Sequence, residues 1–226
     1  MSNLSLKRIN ADIKNISRSN LENENIHVWV NDENIYNMRA LIIGPKIVNS
    51  PYQGGFYFFD INIPKNYPLD PPCVKFITTD GKVRFNPNLY CNGKVCLSVL
   101  NTWNGPGWTT ASTLTMVLLS LQSILHEHPI QNEPGYENEN GEKSINYNNV
   151  IAYYNIKIAT IDMIKKPPRG FDVFQDIINK YLIDNIEYYN KFIKKYIKYE
   201  GMYLTSGIYH MKINQYNIYK LQEELM

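Results

Sequence analysis

The chain has 226 residues, 44% of them hydrophobic and 13% aromatic, which is enough to bury a substantial core in one or two domains. Its formal net charge of +2, from 23 Lys and Arg against 21 Asp and Glu, and the lack of a long basic block argue against a nucleic-acid-binding protein. No uninterrupted apolar run approaches the roughly 20 residues that cross a bilayer, and Lys7, Arg8, Asp12 and Lys14 break any apolar signal core near the amino terminus, so the sequence predicts a soluble cytoplasmic protein without a membrane span. The three cysteines, Cys73, Cys91 and Cys96, cannot all pair with one another and are expected as thiols. Two close cysteines without a second ligand pair are a weak zinc signal, so no metal is implied. The abundance of Asn, Ile, Tyr and Lys predicts an AT-rich coding sequence, as in some protists and large DNA viruses; a viral chain would work in the host cytoplasm.

Leu4, Ile9, Ile13 and Ile16 recur at near-helical spacing, with Lys7, Arg8, Lys14 and Arg18 on the other side, and predict an amphipathic first helix over 4–18. Four short strands are expected at 26–30, 38–44, 55–63 and 73–77. In the third, Tyr57, Phe59, Ile61 and Ile63 alternate with Phe56, Phe58, Asp60 and Asn62, and the turn-rich separators favour an antiparallel meander. Cys73 falls in the apolar fourth strand and is expected as core filler. Pro68, Pro71 and Pro72 stiffen the approach to that strand. Ser112 is placed to cap a helix whose stripe is Leu114, Val117, Leu118, Leu121 and Leu125. A further helix is predicted over 145–164, packing through Val150, Tyr154, Ile158 and Ile161, until Pro167-Pro168-Arg169-Gly170 breaks it. Residues 171–200 and 208–225 predict one or two more helices, separated near 201–207. Lys191, Lys194, Lys195 and Lys198 form a stripe best explained as a solvated face, with an acidic partner or a membrane surface as the alternative.

The chemistry is expected between Tyr67 and Trp108, centred on Cys96 in Asn86-Pro87-Asn88-Leu89-Tyr90-Cys91-Asn92-Gly93-Lys94-Val95-Cys96-Leu97-Ser98. A free cysteine is often simply core. Here Asn86, Pro87, Asn88, Asn92 and Gly93 are turn formers that hold the backbone at the surface, predict an exposed thiol and bring amide donors close to it. An ordinary thiol is only a few per cent thiolate at neutral pH, yet that fraction is strongly nucleophilic without a histidine base. His27, His126, His128 and His210 form no convincing triad pattern, and His128 is at most a neighbour of the site. Asn88 is the candidate to stabilise an oxyanion or the loop around it, because an amide donates a hydrogen bond without changing protonation state.

These residues carry a resemblance. Pro51-Tyr52-Gln53-Gly54-Gly55-Phe56, Tyr67-Pro68-Leu69-Asp70-Pro71-Pro72 and Trp108-Thr109-Thr110-Ala111, taken with the Cys96 segment, resemble the motifs of ubiquitin-conjugating enzymes, the thioester carriers of the ubiquitin cascade. The resemblance covers residues 4–136 and is closest to the extended branch that includes the Apollon conjugating domain, on the spelling of Phe85-Asn86-Pro87-Asn88, Asn101-Thr102-Trp103 and Asn132-Glu133-Pro134-Gly135. It implies an α+β ubiquitin-conjugating fold with a four-stranded antiparallel meander and flanking helices. Residues 1–136 would form the catalytic core, and residues 137–226 a C-terminal helical extension packed on or beside it.

The implied function is to accept ubiquitin, or a ubiquitin-like modifier, as a thioester on Cys96 and pass it to a substrate lysine, usually with a ubiquitin ligase. By the same resemblance Glu133 lies near the acidic residue beside the acceptor lysine, with an insertion leaving Asn132 as an alternative. Ser98 matches a gate position, and Lys7 and Arg8 match contacts to the activating enzyme. Ile63, Trp108, Thr110 and Ala111 match the ligase-contact surface, although Thr110 replaces a common proline. Asn86 stands where the family usually has a structural histidine. Pathway ATP would be used by the separate activating enzyme, with no cofactor bound here. The alternatives are a catalytically inactive, conjugating-enzyme-like binding or scaffold module and a non-enzymatic host-interaction protein; retention of Cys96 favours the enzyme.

Overall fold

The computed structural model describes residues 3–225. Four strands, β1 (Ile26–Val30), β2 (Asn37–Ile43), β3 (Phe56–Asn62) and β4 (Cys73–Phe76), form an antiparallel sheet in chain order. The register sets Leu41 opposite Phe58, Ala40 opposite Phe59 and Asp60 opposite Lys75. Helix α1 (Asn3–Arg18) precedes the sheet, and α2 (Leu114–Ser123) buries Leu114, Val117, Leu118 and Leu121 as its apolar spacing requires. In α1 the buried positions are Ser5, Ile9 and Asp12, whereas Leu4 is 67% exposed and lies outside the packed stripe predicted for it. The cap of α2 is Thr113, not Ser112: the Thr113 hydroxyl accepts from the Met116 amide at 3.2 Å, while the Ser112 hydroxyl accepts from the Thr109 amide at 3.1 Å. Thr113 has the extended backbone that a cap needs.

Alternation in β3 predicts two unlike faces, yet Phe56, Tyr57, Phe58 and Phe59 are all fully buried. On one face Tyr57 meets Phe85 and Tyr52 edge-on, each at 5.8 Å between centroids. On the other, Phe58 lies 4.9 Å from Phe171 and 6.1 Å from Phe174, and Phe56 lies 6.1 Å from Tyr181. The carboxy-terminal third of the chain supplies this second layer, and each ring pair adds about 0.5–1.5 kcal/mol beyond its buried area. Arg39 pins its edge: the guanidinium lies over Trp29 and Phe171 and donates to the Gly170 carbonyl at 2.6 Å.

Helix α3 (Glu142–Tyr154) continues through a π-wound segment, Asn155–Asp162, and a last turn, Met163–Lys165. The widened turn brings Asn155 inward, as π-segments do when they re-aim a side chain. Its amide donates to the Gln53 carbonyl at 3.0 Å and its oxygen accepts the Tyr57 hydroxyl. A Cβ on Gly55 would stand 1.9 Å from that oxygen, so the glycine permits the approach. Helix α4 (Gln175–Lys194) reaches the same loop: Tyr188 donates to the Gln53 side chain at 2.7 Å and Tyr189 to the Gly54 carbonyl at 2.5 Å. Lys191, Lys194, Lys195 and Lys198 are all exposed, which matches the solvated-face expectation.

Residues 208–225 are not one helix. A short hairpin, β5 (Leu204–Thr205) with β6 (Lys212–Ile213), comes first, and only α5 (Ile218–Leu225) is helical. Tyr209 and His210 take left-handed backbone at φ 57° and 54°, which turns the chain and ends helical continuity. Cys73 also departs from expectation: it is exposed at the start of β4, whose inward residue is Phe76.

Replacing Asn155 with Ala strands the buried Tyr57 hydroxyl and the Gln53 carbonyl, a cost of about 2–6 kcal/mol at ~1–3 per group. Urea unfolding should show this as a lowered midpoint, with Tyr57→Phe in the Asn155→Ala background recovering part of the loss. An unchanged midpoint for Asn155→Ala would contradict the role given to this amide.

Candidate active site

Residues 86–96 fold back on themselves. Gly93, at φ 89°, closes a turn in which its amide donates to the Tyr90 carbonyl and the Tyr90 amide donates to the Lys94 carbonyl, both at 2.9 Å. Asn86 bridges to Leu89, and Leu89 to Val95. Cys96 is thereby set against Asn88. Its amide donates to the Asn88 carbonyl at 2.9 Å, and the Asn88 side-chain nitrogen donates to the Cys96 carbonyl at 2.6 Å. The Asn88 side-chain oxygen is buried without a hydrogen-bond partner.

Asn86 is fully buried and uses its amide from both ends. The nitrogen donates to the Ile124 carbonyl at 2.8 Å and to the Tyr52 hydroxyl at 3.0 Å. The oxygen accepts from the Asn88 amide at 3.0 Å and from the Asn132 side chain at 3.3 Å. Tyr52 donates to the Phe85 carbonyl at 2.6 Å, and burial pushes its hydroxyl pKa well up, so it stays a neutral donor. The asparagine found where the resemblance leads one to expect histidine therefore knits the loop to the end of α2 and to the 129–132 turn. His126, expected from the sequence in a surface or packing role, is within 3.2 Å of the Asn132 side-chain oxygen.

Cys96 is only 1% exposed, which corrects the expectation of an exposed thiol. The turn formers shape the backbone as predicted, but they do not keep the cysteine open. The Asn101-Thr102-Trp103 segment returns along the cysteine segment, where the Thr102 hydroxyl donates to the Val95 carbonyl and accepts from the Leu97 amide, both at 2.9 Å. One side chain thus brackets Cys96 on either side, and a threonine in an insertion gave no sequence signal for that role. Ser98 is half-buried and opens a short 3-10 turn, Ser98–Leu100.

The other predicted residues divide. Ile63 and Trp108 are buried, whereas Thr110 and Ala111 are exposed. Trp108 donates through its indole to the Pro68 carbonyl at 2.8 Å and packs 5.6 Å from the Tyr67 ring. Lys7 is exposed, but Arg8 is engaged within the chain: it donates to Asp12 at 2.9 Å, to the Thr110 carbonyl at 2.6 Å and to the Ser112 carbonyl. Asp12, 1% exposed, also accepts the Tyr67 hydroxyl, whose pKa is raised by burial and by that carboxylate. A buried carboxylate needs such partners, so Arg8 ties α1 to the tryptophan loop. Glu133 is half-buried and accepts the Tyr209 hydroxyl from the turn between β5 and β6. His128 faces Glu127 at 3.7 Å. Among the described residues no cluster of His, Cys, Asp and Glu is arranged to hold a metal, and no helix is long and apolar enough to cross a membrane.

The sequence pattern of the family described as "Ubiquitin-conjugating enzyme" matches residues 8–158. Similar curated proteins include ubiquitin-conjugating enzyme E2 Z of Xenopus tropicalis, 38% identical over 88% of this chain and 63% of that protein, and of Homo sapiens, 40% identical over 73% of this chain and 46% of that protein. The chain thus spans about half to two thirds of the length of these relatives. The human protein named dual E2 ubiquitin-conjugating enzyme/E3 ubiquitin-protein ligase BIRC6, the Apollon protein, is 40% identical over 69% of this chain and 3% of its own length. A crystal structure from Plasmodium yoelii, provisionally described as a ubiquitin conjugating enzyme, aligns with a TM-score of 0.54 at 27% identity, covering 70% of this chain and 97% of that one. The four-stranded sheet with its flanking helices is the ubiquitin-conjugating fold, the relatives fall in the extended branch that the 85–88, 101–103 and 132–135 segments indicated, and the chain belongs to the ubiquitin-conjugating enzyme family, whose function is thioester transfer.

Proposed function

We propose that the chain carries ubiquitin, or a ubiquitin-like modifier, as a thioester on Cys96 and delivers it to a substrate lysine with the help of a ubiquitin ligase. The observation that carries this reading is the reciprocal pairing of Cys96 with Asn88, which sets a cysteine beside an amide donor in a rigid loop. In loading, the Cys96 sulfur attacks the carbonyl of the activating enzyme's thioester. The new C–S bond forms as the old one breaks, and the departing thiol takes up the proton that Cys96 gave up. Asn88 has a second N–H beyond the one held by the Cys96 carbonyl, and this donor serves the oxyanion of the tetrahedral intermediate. Both steps are acyl exchanges that need no bound cofactor, and the ATP of the pathway is consumed by the separate activating enzyme. The three free thiols fit a reducing cytoplasm.

The burial of Cys96 means that loading requires its cover to open. It is also the observation that favours the second reading, a catalytically inactive module that binds without carrying an acyl group. The ligase-contact and activating-enzyme-contact candidates extend the leading reading through Thr110, Ala111 and Lys7, which are exposed. Ile63, Trp108 and Arg8 serve the same surfaces from beneath by holding its shape.

Incubating the chain with an activating enzyme, ATP and ubiquitin should give an adduct that thiols release and that Cys96→Ala cannot form; no adduct with any activating enzyme or modifier would favour the binding module. Asn88→Ala should lower discharge of the loaded chain by about a hundredfold or more, read by single-turnover release onto lysine, and discharge at the wild-type rate would remove Asn88 from the mechanism. In the unloaded chain, iodoacetamide followed by peptide mass spectrometry should label exposed Cys73 first and Cys96 last. A Cys96 that labels as fast as Cys73 would contradict a closed resting site.

A further inference from the structure

The hairpin of the carboxy-terminal region reaches the site through one side chain. Tyr209, in the turn between β5 and β6, donates its hydroxyl to Glu133 Oε2 while its ring lies 4.3 Å from the Arg84 guanidinium. Tyr90 stacks on the same guanidinium at 3.6 Å, so Arg84 is held by two rings. Arg84 also donates to the Pro87 carbonyl at 2.7 Å, within the Asn86-Pro87-Asn88 segment, and its backbone is held by the Met211 sulfur and the Tyr147 hydroxyl. Tyr147 completes the enclosure edge-on to Tyr209 at 6.1 Å. Arg84 and Glu133 therefore meet the ring face and the hydroxyl of a single phenol. Among the described residues Arg84 and Glu133 form no ion pair with each other, and Glu133 Oε1 receives no hydrogen bond.

We propose that Tyr209 is a positioning residue for amine transfer: it holds Glu133 by one carboxylate oxygen and leaves the other free to receive the incoming lysine. This rests on the thioester-carrier reading above. A carboxylate fixed at Oε2 keeps its direction without losing its acceptor capacity, since an ionised carboxyl offers several lone-pair sites. The phenol also keeps Arg84 and Glu133 from collapsing into a direct pair that would consume the acceptor. Asn132, the residue next to Glu133, donates to Asn86, so the acid is carried on the same turn that braces the cysteine loop.

Amine transfer begins with a lysine ammonium that must shed a proton to solvent before attack. The free amine then forms the C–N bond, the C–S bond breaks, and a second proton from nitrogen ends on the departing Cys96 sulfur. A carboxylate held on the turn that braces the cysteine loop favours and aligns the amine during these steps. The tail thereby becomes part of the transfer site, although it is distant in sequence from Cys96.

The test uses the full chain loaded on Cys96 and compares discharge onto free lysine with discharge onto hydroxylamine, which is already a free base at neutral pH. Tyr209→Phe keeps the ring on Arg84 and removes only the hydroxyl. It should slow discharge at saturating lysine by about tenfold, within the roughly hundredfold that a displacement of about 1 Å can cost, and change hydroxylamine discharge by less than about twofold. In a Glu133→Gln background the same substitution should add little, because residues acting through one contact are non-additive. Equal slowing with both nucleophiles, no slowing with lysine, or a full effect persisting in Glu133→Gln would overturn the proposal while leaving the carrier reading intact. Failure of the wild-type chain to load at all would overturn the carrier reading and this proposal together.

Discussion

The Asn86 side chain sits where three pieces of backbone converge, and its amide meets all of them: the Ile124 carbonyl past the end of α2, the Asn88 amide in its own loop, and Asn132 in the turn leading to Glu133. A buried amide is costly when unpaired and rigidifying when saturated. Here two donors and the acceptor oxygen are all used, with Tyr52 supplying the remaining contact. The orientation of Asn88, and through it the Cys96 backbone, depends on that saturation. The same logic recurs at the buried Asp12, which is held by Arg8 and Tyr67.

A second constraint comes from the sheet. An antiparallel sheet needs only one covered face, but β3 offers aromatic residues on both, and the chain supplies a second helical layer to meet them. That layer is joined to the loop before β3 by polar bonds from Asn155, Tyr188 and Tyr189 and to the sheet edge by Arg39. Hydrophobic burial drives the layer onto the sheet, and the directional bonds fix how it sits. Its hairpin can then present Tyr209 to Glu133 with little freedom.

The Cys96 thiol is buried within these two constraints. Hydrogen bonds around Cys96, from Asn88 and from Thr102, hold the segment in place.

The sequence by itself determined the sheet, the first helix, α2 and the identity of the cysteine segment, because strand alternation, helical spacing and turn residues are local signals. Its motifs also led to the family. What only the tertiary structure decided was long-range. The cap passed from Ser112 to Thr113 because backbone conformation selects between adjacent hydroxyls. Cys73 turned outward and Cys96 inward because exposure depends on what distant segments pack against each. Tyr209 met Glu133 across 76 positions of sequence, and Asn155 met Gln53 across 102. No local pattern encodes such partners: side-chain hydrogen bonds between distant segments exist only once the hydrophobic layers have brought those segments together.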